Sequence, residues 1–457
     1  MIMLDRSVIP ISTKELLFNI PEIKFLKLVN DIDISFVHKN NLPIVYAEII
    51  VFTGSRFDPA DKKGLGYLTS LLMDEGAGEY DALQLSEEFE KLGSIFSVSA
   101  DHDTIILSIL SLTENFERSL ELISKIVLKP RFDEKDFQRE KKKVLDRILQ
   151  LKDEPSFIAS SAFERRVFGD SYYGFPEIGF AESIARISNE DVKGFFARTF
   201  TSTNAKIVSV GNLSEAENTK LFNKYFCEWT SSSDNYQYFE TPKRKSTSYY
   251  FIHKSDSAQS EIRVGHISRK RNSDDFIPTR IMNTILGGQF SSRINSNLRE
   301  QKGFTYGANS SFHYYKEAGL FEISTAVNIE NTGEAIIEIL KEINGIREHI
   351  SDEEINFAKS YLIKQFPSRF ETFNQIAKNL ESLLIHSLPT EELINYTNKV
   401  KSVTNEEVKA SAINNVLPNE LVIVTVGDRK KVFDQLKQIP GAEPIELDLY
   451  GNLLLSF

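Results

Sequence analysis

Lys206-Ile207-Val208-Ser209-Val210-Gly211 and Leu421-Val422-Ile423-Val424-Thr425-Val426-Gly427 align on their glycines at an offset of 216. Each is a short, β-branched, apolar run closed by glycine, which reads as a buried strand stopping at a turn. Working outward, Phe36-Val37-His38-Lys39 recurs as Phe251-Ile252-His253-Lys254 at an offset of 215. Ser188-Asn189-Glu190-Asp191-Val192 recurs as Thr404-Asn405-Glu406-Glu407-Val408, again at 216. Three matches in one order at nearly one spacing mark a duplication, with two homologous domains of roughly 210 residues.

Each repeat then reads alike. Strands are expected at 34–39 and 44–53 in the first half, and at 249–254 and 260–267 in the second. Helices follow at 64–74 and 275–286, then strands at 94–99 with 104–111, and at 307–312 with 319–327. Amphipathic helices are expected at 112–128, 133–152 and 331–349. Ser188 with Asp191, and Thr404 with Glu407, read as capping boxes opening the last helix of each repeat, before the closing strands at 205–210 and 421–426. Strands interleaved with helix pairs give an α+β chain of two α/β-sandwich domains, with mostly antiparallel sheets and helices on one face. The predicted organisation is an N-terminal domain at 1–229, a linker at 230–247, and a C-terminal domain at 248–457. The linker is polar and aromatic-flecked, and long enough to let the halves face each other as a clamshell.

Bulk properties exclude several classes. A net charge of -11 repels a phosphate backbone, so nucleic acid is not an expected partner. One cysteine rules out an internal disulfide and a paired-cysteine metal knuckle. Cys227, between Phe226 and Trp229, reads as packing rather than as a nucleophile. No run is long and apolar enough to span a membrane, and no signal peptide is visible after Met1. A bacterial-type soluble protein of the cytoplasm or periplasm is the expectation. The seven histidines are isolated; the nearest cluster, Asp101-His102-Asp103, reads as a solvated strand or turn. Gly287-Gly288 reads as a tight turn between helices, since no lysine-serine follows to make a phosphate loop.

Several blocks resemble one family. Gly54-Ser55-Arg56-Phe57-Asp58 with Gly64-Leu65-Gly66, Asn204 with the run to Gly211-Asn212, and Leu286-Gly287-Gly288-Gln289-Phe290-Ser291-Ser292-Arg293 are three of them. The most specific follows: Leu298-Arg299-Glu300, then Gly303-Phe304-Thr305-Tyr306. From about Ile23 to Gln438 the chain resembles the pitrilysin/insulinase family of zinc peptidases. It looks most like the short bacterial members and the subunits of mitochondrial processing peptidase. The resemblance implies one half of a clamshell chamber.

An active member of that family carries an inverted His-x-x-Glu-His on its first long helix and a glutamate ligand on a later one. Here Tyr67 and Leu71 stand at the histidine positions, Ser70 at the base, and Arg147 at the third ligand, while Glu140 matches an accessory acidic position. This set is not expected to hold zinc. The resemblance further implies that Arg299 and Tyr306 match the family's arginine–tyrosine pair, which faces zinc from the opposite domain. Tyr306 would donate a hydrogen bond to the developing oxyanion, and Arg299 would hold that oxygen or substrate carbonyls. The bland alternative is that Arg299 caps a helix and Tyr306 packs at a strand start.

The implied function is the non-zinc-binding subunit of a heterodimeric metallopeptidase. Zinc would sit in a catalytic partner with an intact His-x-x-Glu-His. The present chain would close the chamber on peptide substrates, with no activity of its own and with a homodimer possible when alone. The rival readings are an inert structural scaffold and a peptide-binding module of the same fold.

Overall fold

The computed structural model describes residues 18–231, 239–240, 242 and 246–454. The expected linker, 230–247, lies for most of its length outside these. Among the described residues, no helix is long and apolar enough to cross a membrane.

The first sheet contains β1 (Lys24–Lys27), β2 (Asp33–His38) and β3 (Ile44–Val51). Two-residue strands β4 (Gly76–Ala77) and β5 (Tyr80–Asp81) form a separate ribbon. β6 (Ile95–Ala100), β7 (Ile105–Leu112) and β8 (Ala205–Gly211) complete the first sheet, in the order β1-β2-β8-β3-β7-β6. The second sheet contains β9 (Ser248–His253), β10 (Gln259–Ser268), β11 (Thr305–Tyr314), β12 (Gly319–Asn328), β13 (Val422–Gly427) and β14 (Pro444–Leu447). Its order is β11-β12-β10-β13-β9-β14.

Five strands of each sheet therefore share one arrangement. The duplicated segments are also neighbours in space: β2 runs parallel to β8 with His38 opposite Gly211, and β9 parallel to β13 with His253 opposite Gly427. The sixth strand differs. β1 joins antiparallel from the start of the first repeat, whereas β14 joins parallel from the end of the second.

Each sheet packs one face on helices of its own repeat. Ile34, Ile49, Leu107 and Ile207 meet Leu68, Leu120, Ile148, Val192 and Phe222 in the first. Both predicted capping boxes form, at Ser188 with Asp191 and at Thr404 with Glu407. The helices they open are not the last, nor do β8 and β13 end the repeats. Helices Glu215–Phe226 and Arg429–Lys437 follow, the first opened by its own capping box at Ser214. Cys227 caps that first helix and is exposed, contrary to the packing expected of it. Phe222, Phe226 and Trp229 take the buried side of the turn, leaving the thiol outward.

The other face of each sheet takes a helix from the opposite repeat. The Pro155–Phe168 helix lays Ile158, Ala159, Ala162 and Phe163 against Tyr250, Ile252, Val422 and Val424. The Phe373–Ile385 helix lays Phe373, Ile376, Ala377 and Leu380 against Val37, Tyr46, Ile50, Val208 and Val210. β10 accommodates the first exchange with Gly265, where a Cβ would lie 1.9 Å from the Phe321 carbonyl oxygen and 3.0 Å from the Phe163 ring. The two domains are thus interlocked as well as linked.

Asp101-His102-Asp103 is the hairpin turn between β6 and β7, but it is not solvated: His102 and Asp103 are buried. The exchanged segment and the β11–β12 hairpin cover them. His102 Nδ1 lies 2.8 Å from Glu177, and its ring meets Tyr173 and Tyr315 edge-on. Burial disfavours its charge, yet the Glu177 pairing outweighs that and raises its pKa to about 9. Asp103 accepts from Arg56, from the Tyr173 hydroxyl at 2.9 Å and from the Lys316 backbone N–H at 2.8 Å, tying the two domains together.

The second exchanged helix carries a pH-sensitive contact. Glu48 of β3 is fully buried; it accepts from Tyr46 at 2.8 Å and faces Lys378 at 3.8 Å. Burial, then repulsion from Glu381, pushes its carboxyl up to about 7 from an ordinary 4.5. A carboxyl raised on folding keeps its proton longer in the folded state, so its destabilising cost grows as pH rises from about 4.5 to about 7. Glu48→Gln, which copies the protonated acid, is expected to stabilise by on the order of 2–3 kcal/mol at about pH 8 and by little near pH 4.5. Thermal midpoints at both pH values check this; an equal shift at both refutes it.

Candidate functional site

The lead-in Gly54–Asp58 prepares the first long helix, Leu65–Leu72. Gly64 sits at φ 95°, the left-handed region, and turns the chain into the helix. The Asp58 carboxylate accepts from the backbone N–H of Gly64 at 2.7 Å and of Gly66 at 2.8 Å, satisfying groups that a helix start leaves open. Burial nevertheless raises its pKa to about 7 against those donors.

Tyr67 and Leu71 lie one turn apart on this helix, both half-buried. The buried Ser70 hydroxyl donates to the Tyr67 carbonyl at 2.7 Å, a bond within the helix. Burial raises the pKa of Tyr67, with the nearby Arg147 charge working against it. Arg147 itself pairs with Glu154 at 2.9 Å. A phenol, a hydroxyl turned onto its own backbone, an isobutyl group and a guanidinium do not fit zinc. Among the described residues, no group of three His, Cys, Asp or Glu side chains could hold a metal ion.

Glu140 stands two turns before Arg147 on the Glu134–Leu151 helix and is buried. Its partners are cations of this chain: Arg139 Nε at 3.1 Å and Lys143 Nζ at 2.7 Å. Arg139 also reaches Asp136 and Glu75. Burial works against ionising Glu140, but hydrogen bonds from Lys143, Glu75 and Arg139 outweigh it and lower its pKa. Burial, and then Glu140, raise the pKa of Glu75, with Arg139 working against them. Arg139, Glu75 and Asp136 were not legible as a site, because Glu75 lies far from the other two in the chain and only packing of the two helices brings them together.

The second pair lies elsewhere. Arg299 belongs to the tightly coiled π-helical segment Ser296–Gln301, and Tyr306 opens the edge strand β11. Tyr306 is 92% exposed, so it does not pack at the strand start. Arg299 stacks on the exposed ring of Phe290, 4.5 Å from its centroid, and lies 3.6 Å from Glu300. Gly287 and Gly288 form the turn after the Phe276–Leu286 helix, where Gly288 N–H donates to Asn283 at 2.7 Å.

The chain is a doubled α/β sandwich whose described residues hold no group of side chains that could bind a metal ion. Comparison with known proteins agrees. Residues 34–173 match the insulinase family (peptidase family M16), and 186–362 match the peptidase M16 inactive domain. The chain belongs to the insulinase family. It is 21% identical over 411 residues to a non-peptidase homologue, YmxG, of Helicobacter pylori, covering 88% of this chain and 94% of that one. It is 18% identical over 420 residues to a probable mitochondrial-processing peptidase subunit beta of Arabidopsis thaliana, covering 89% and 78%. The crystal structure of a peptidase M16 inactive domain from Pseudomonas fluorescens shares the fold, with TM-score 0.83, 24% identity, and coverage of 89% and 98%.

Proposed function

We propose that this chain is the non-catalytic subunit of a heterodimeric zinc peptidase. A family partner with an intact His-x-x-Glu-His supplies zinc, base and a sheet edge on which an extended peptide adds as a strand. The present chain closes the chamber and offers Arg299 and Tyr306 across it. The observation that supports this reading is Tyr306, a phenol 92% exposed at the start of an edge strand and so accessible from outside this chain. Arg299, held on Phe290, keeps a permanent charge in the same stretch of chain. The similarity to a relative named as a subunit supports pairing.

Mixing the purified chain with its partner is expected to give cleavage of unstructured peptides that neither chain gives alone. A stable pair with no cleavage of any peptide favours an inert scaffold instead.

A further inference from the structure

A cavity of about 1050 Å³ opens in the second domain between the edge strand β11 and the helices Phe276–Leu286 and Phe373–Ile385. Three guanidinium groups line it: Arg271, Arg280 and Arg369. They are arranged on two rings. Arg271 lies 3.1 Å from the centroid of Phe276 and Arg280 5.8 Å from it, while Arg280 and Arg369 lie 5.4 and 5.8 Å from the centroid of Tyr396.

These charges are poorly balanced. Glu392 is the one carboxylate among the described lining residues; it stands 3.7 Å from Arg271 and also pairs with Lys399. Arg280 and Arg369 form no ion pair among the described residues. Burial lowers Arg271 to about 10 against the opposing charge of Glu392, and burial with repulsion from Arg280 lowers Arg369 to about 10, both still charged at neutral pH. His386 adds no charge, since burial and Arg271 lower it to about 4. An excess of confined positive charge in a chain of net charge -11 is a local feature of this cavity. Half-buried, unpaired guanidiniums are costly, and their fork geometry matches a carboxylate.

The position of the cavity favours a peptide as the carrier of that carboxylate. Its wall is the outer part of β11, which is paired on one side only, to β12. Phe290, another lining residue, is the ring that holds Arg299. We propose that this cavity is a carboxylate-binding site that takes an acidic side chain or the free C-terminus of a peptide lying beside β11, held by Arg280 and Arg369. The inference rests on the peptide-enclosing reading above and adds a preference for acidic peptides.

The test is fluorescence anisotropy on the chain alone, with one short unstructured peptide in three forms: glutamate-containing, its glutamine counterpart, and that counterpart amidated at the C-terminus. The glutamate form is expected to bind at least about 10-fold more tightly than the amidated neutral form. The middle form tells side chain from terminus. Arg280→Gln with Arg369→Gln should bring the three affinities together while the thermal midpoint shows a folded chain. Because the peptides themselves are varied, the comparison stands even if that variant fails to fold. Equal affinity for all three forms overturns the inference and leaves the paired-peptidase reading to be judged by cleavage. Stabilisation by inorganic phosphate or succinate without any preference among the peptides overturns the peptide assignment as well.

Discussion

In the reconstituted pair, Tyr306→Phe is expected to lower kcat by about 10²- to 10³-fold while the two chains stay associated. On the role proposed above, Tyr306 is a directional donor to a developing oxyanion in an enclosed chamber, and loss of such a donor typically costs about 2.7–4 kcal/mol. The substitution removes one oxygen atom from a side chain that is almost wholly exposed, so folding of this chain should not change. Arg299→Ala is expected to act in the same direction, with an added loss of packing on Phe290. Steady-state turnover, with pairing followed by size-exclusion chromatography, separates the two effects. Unchanged turnover in both variants rules out the contribution in trans.

The second large effect is on stability. Phe163→Ala should destabilise the chain by about 3–5 kcal/mol, because it empties a fully buried site between a helix of one repeat and the sheet of the other. Gly265 and the Phe321 carbonyl define that site, and neither can move in to fill it without breaking the β10–β12 ladder. Leu83→Ala, at a side chain 70% exposed, serves as the control, with an expected change within about 0.5 kcal/mol. Denaturant midpoints compare the two. If Phe163→Ala loses no more than Leu83→Ala, the exchanged helix does not hold the domains together.

Much of the fold was legible in local pattern. The strand pairs His38/Gly211 and His253/Gly427 were visible as repeats before they were seen to be neighbours, because buried parallel strands need continuous apolar runs. The capping boxes were legible because the donor and acceptor lie three residues apart. The grouping of Tyr67, Ser70 and Leu71 on one helix was legible for the same reason, since they lie within four residues of one another. His102 and Cys227 were misread. The environment of His102 is set by segments distant in the chain, Glu177 and Tyr315, whereas that of Cys227 is set by its neighbours Phe226 and Trp229 turning into the core and leaving the thiol outward.

The sequence by itself determined the duplication and the type of each domain, and it put Tyr67, Ser70 and Leu71 on the stretch where the family resemblance implies zinc ligands and base. All three depend on which side chains recur at short or fixed spacing. Only the tertiary structure decided that each repeat lends a helix to the other's sheet, that Tyr306 stands free, and that three arginines converge on one cavity. Those outcomes depend on which faces meet once apolar surface is withdrawn from water. No local spacing records the approach of residues as far apart as Arg271 and Tyr396, or Phe163 and Val424.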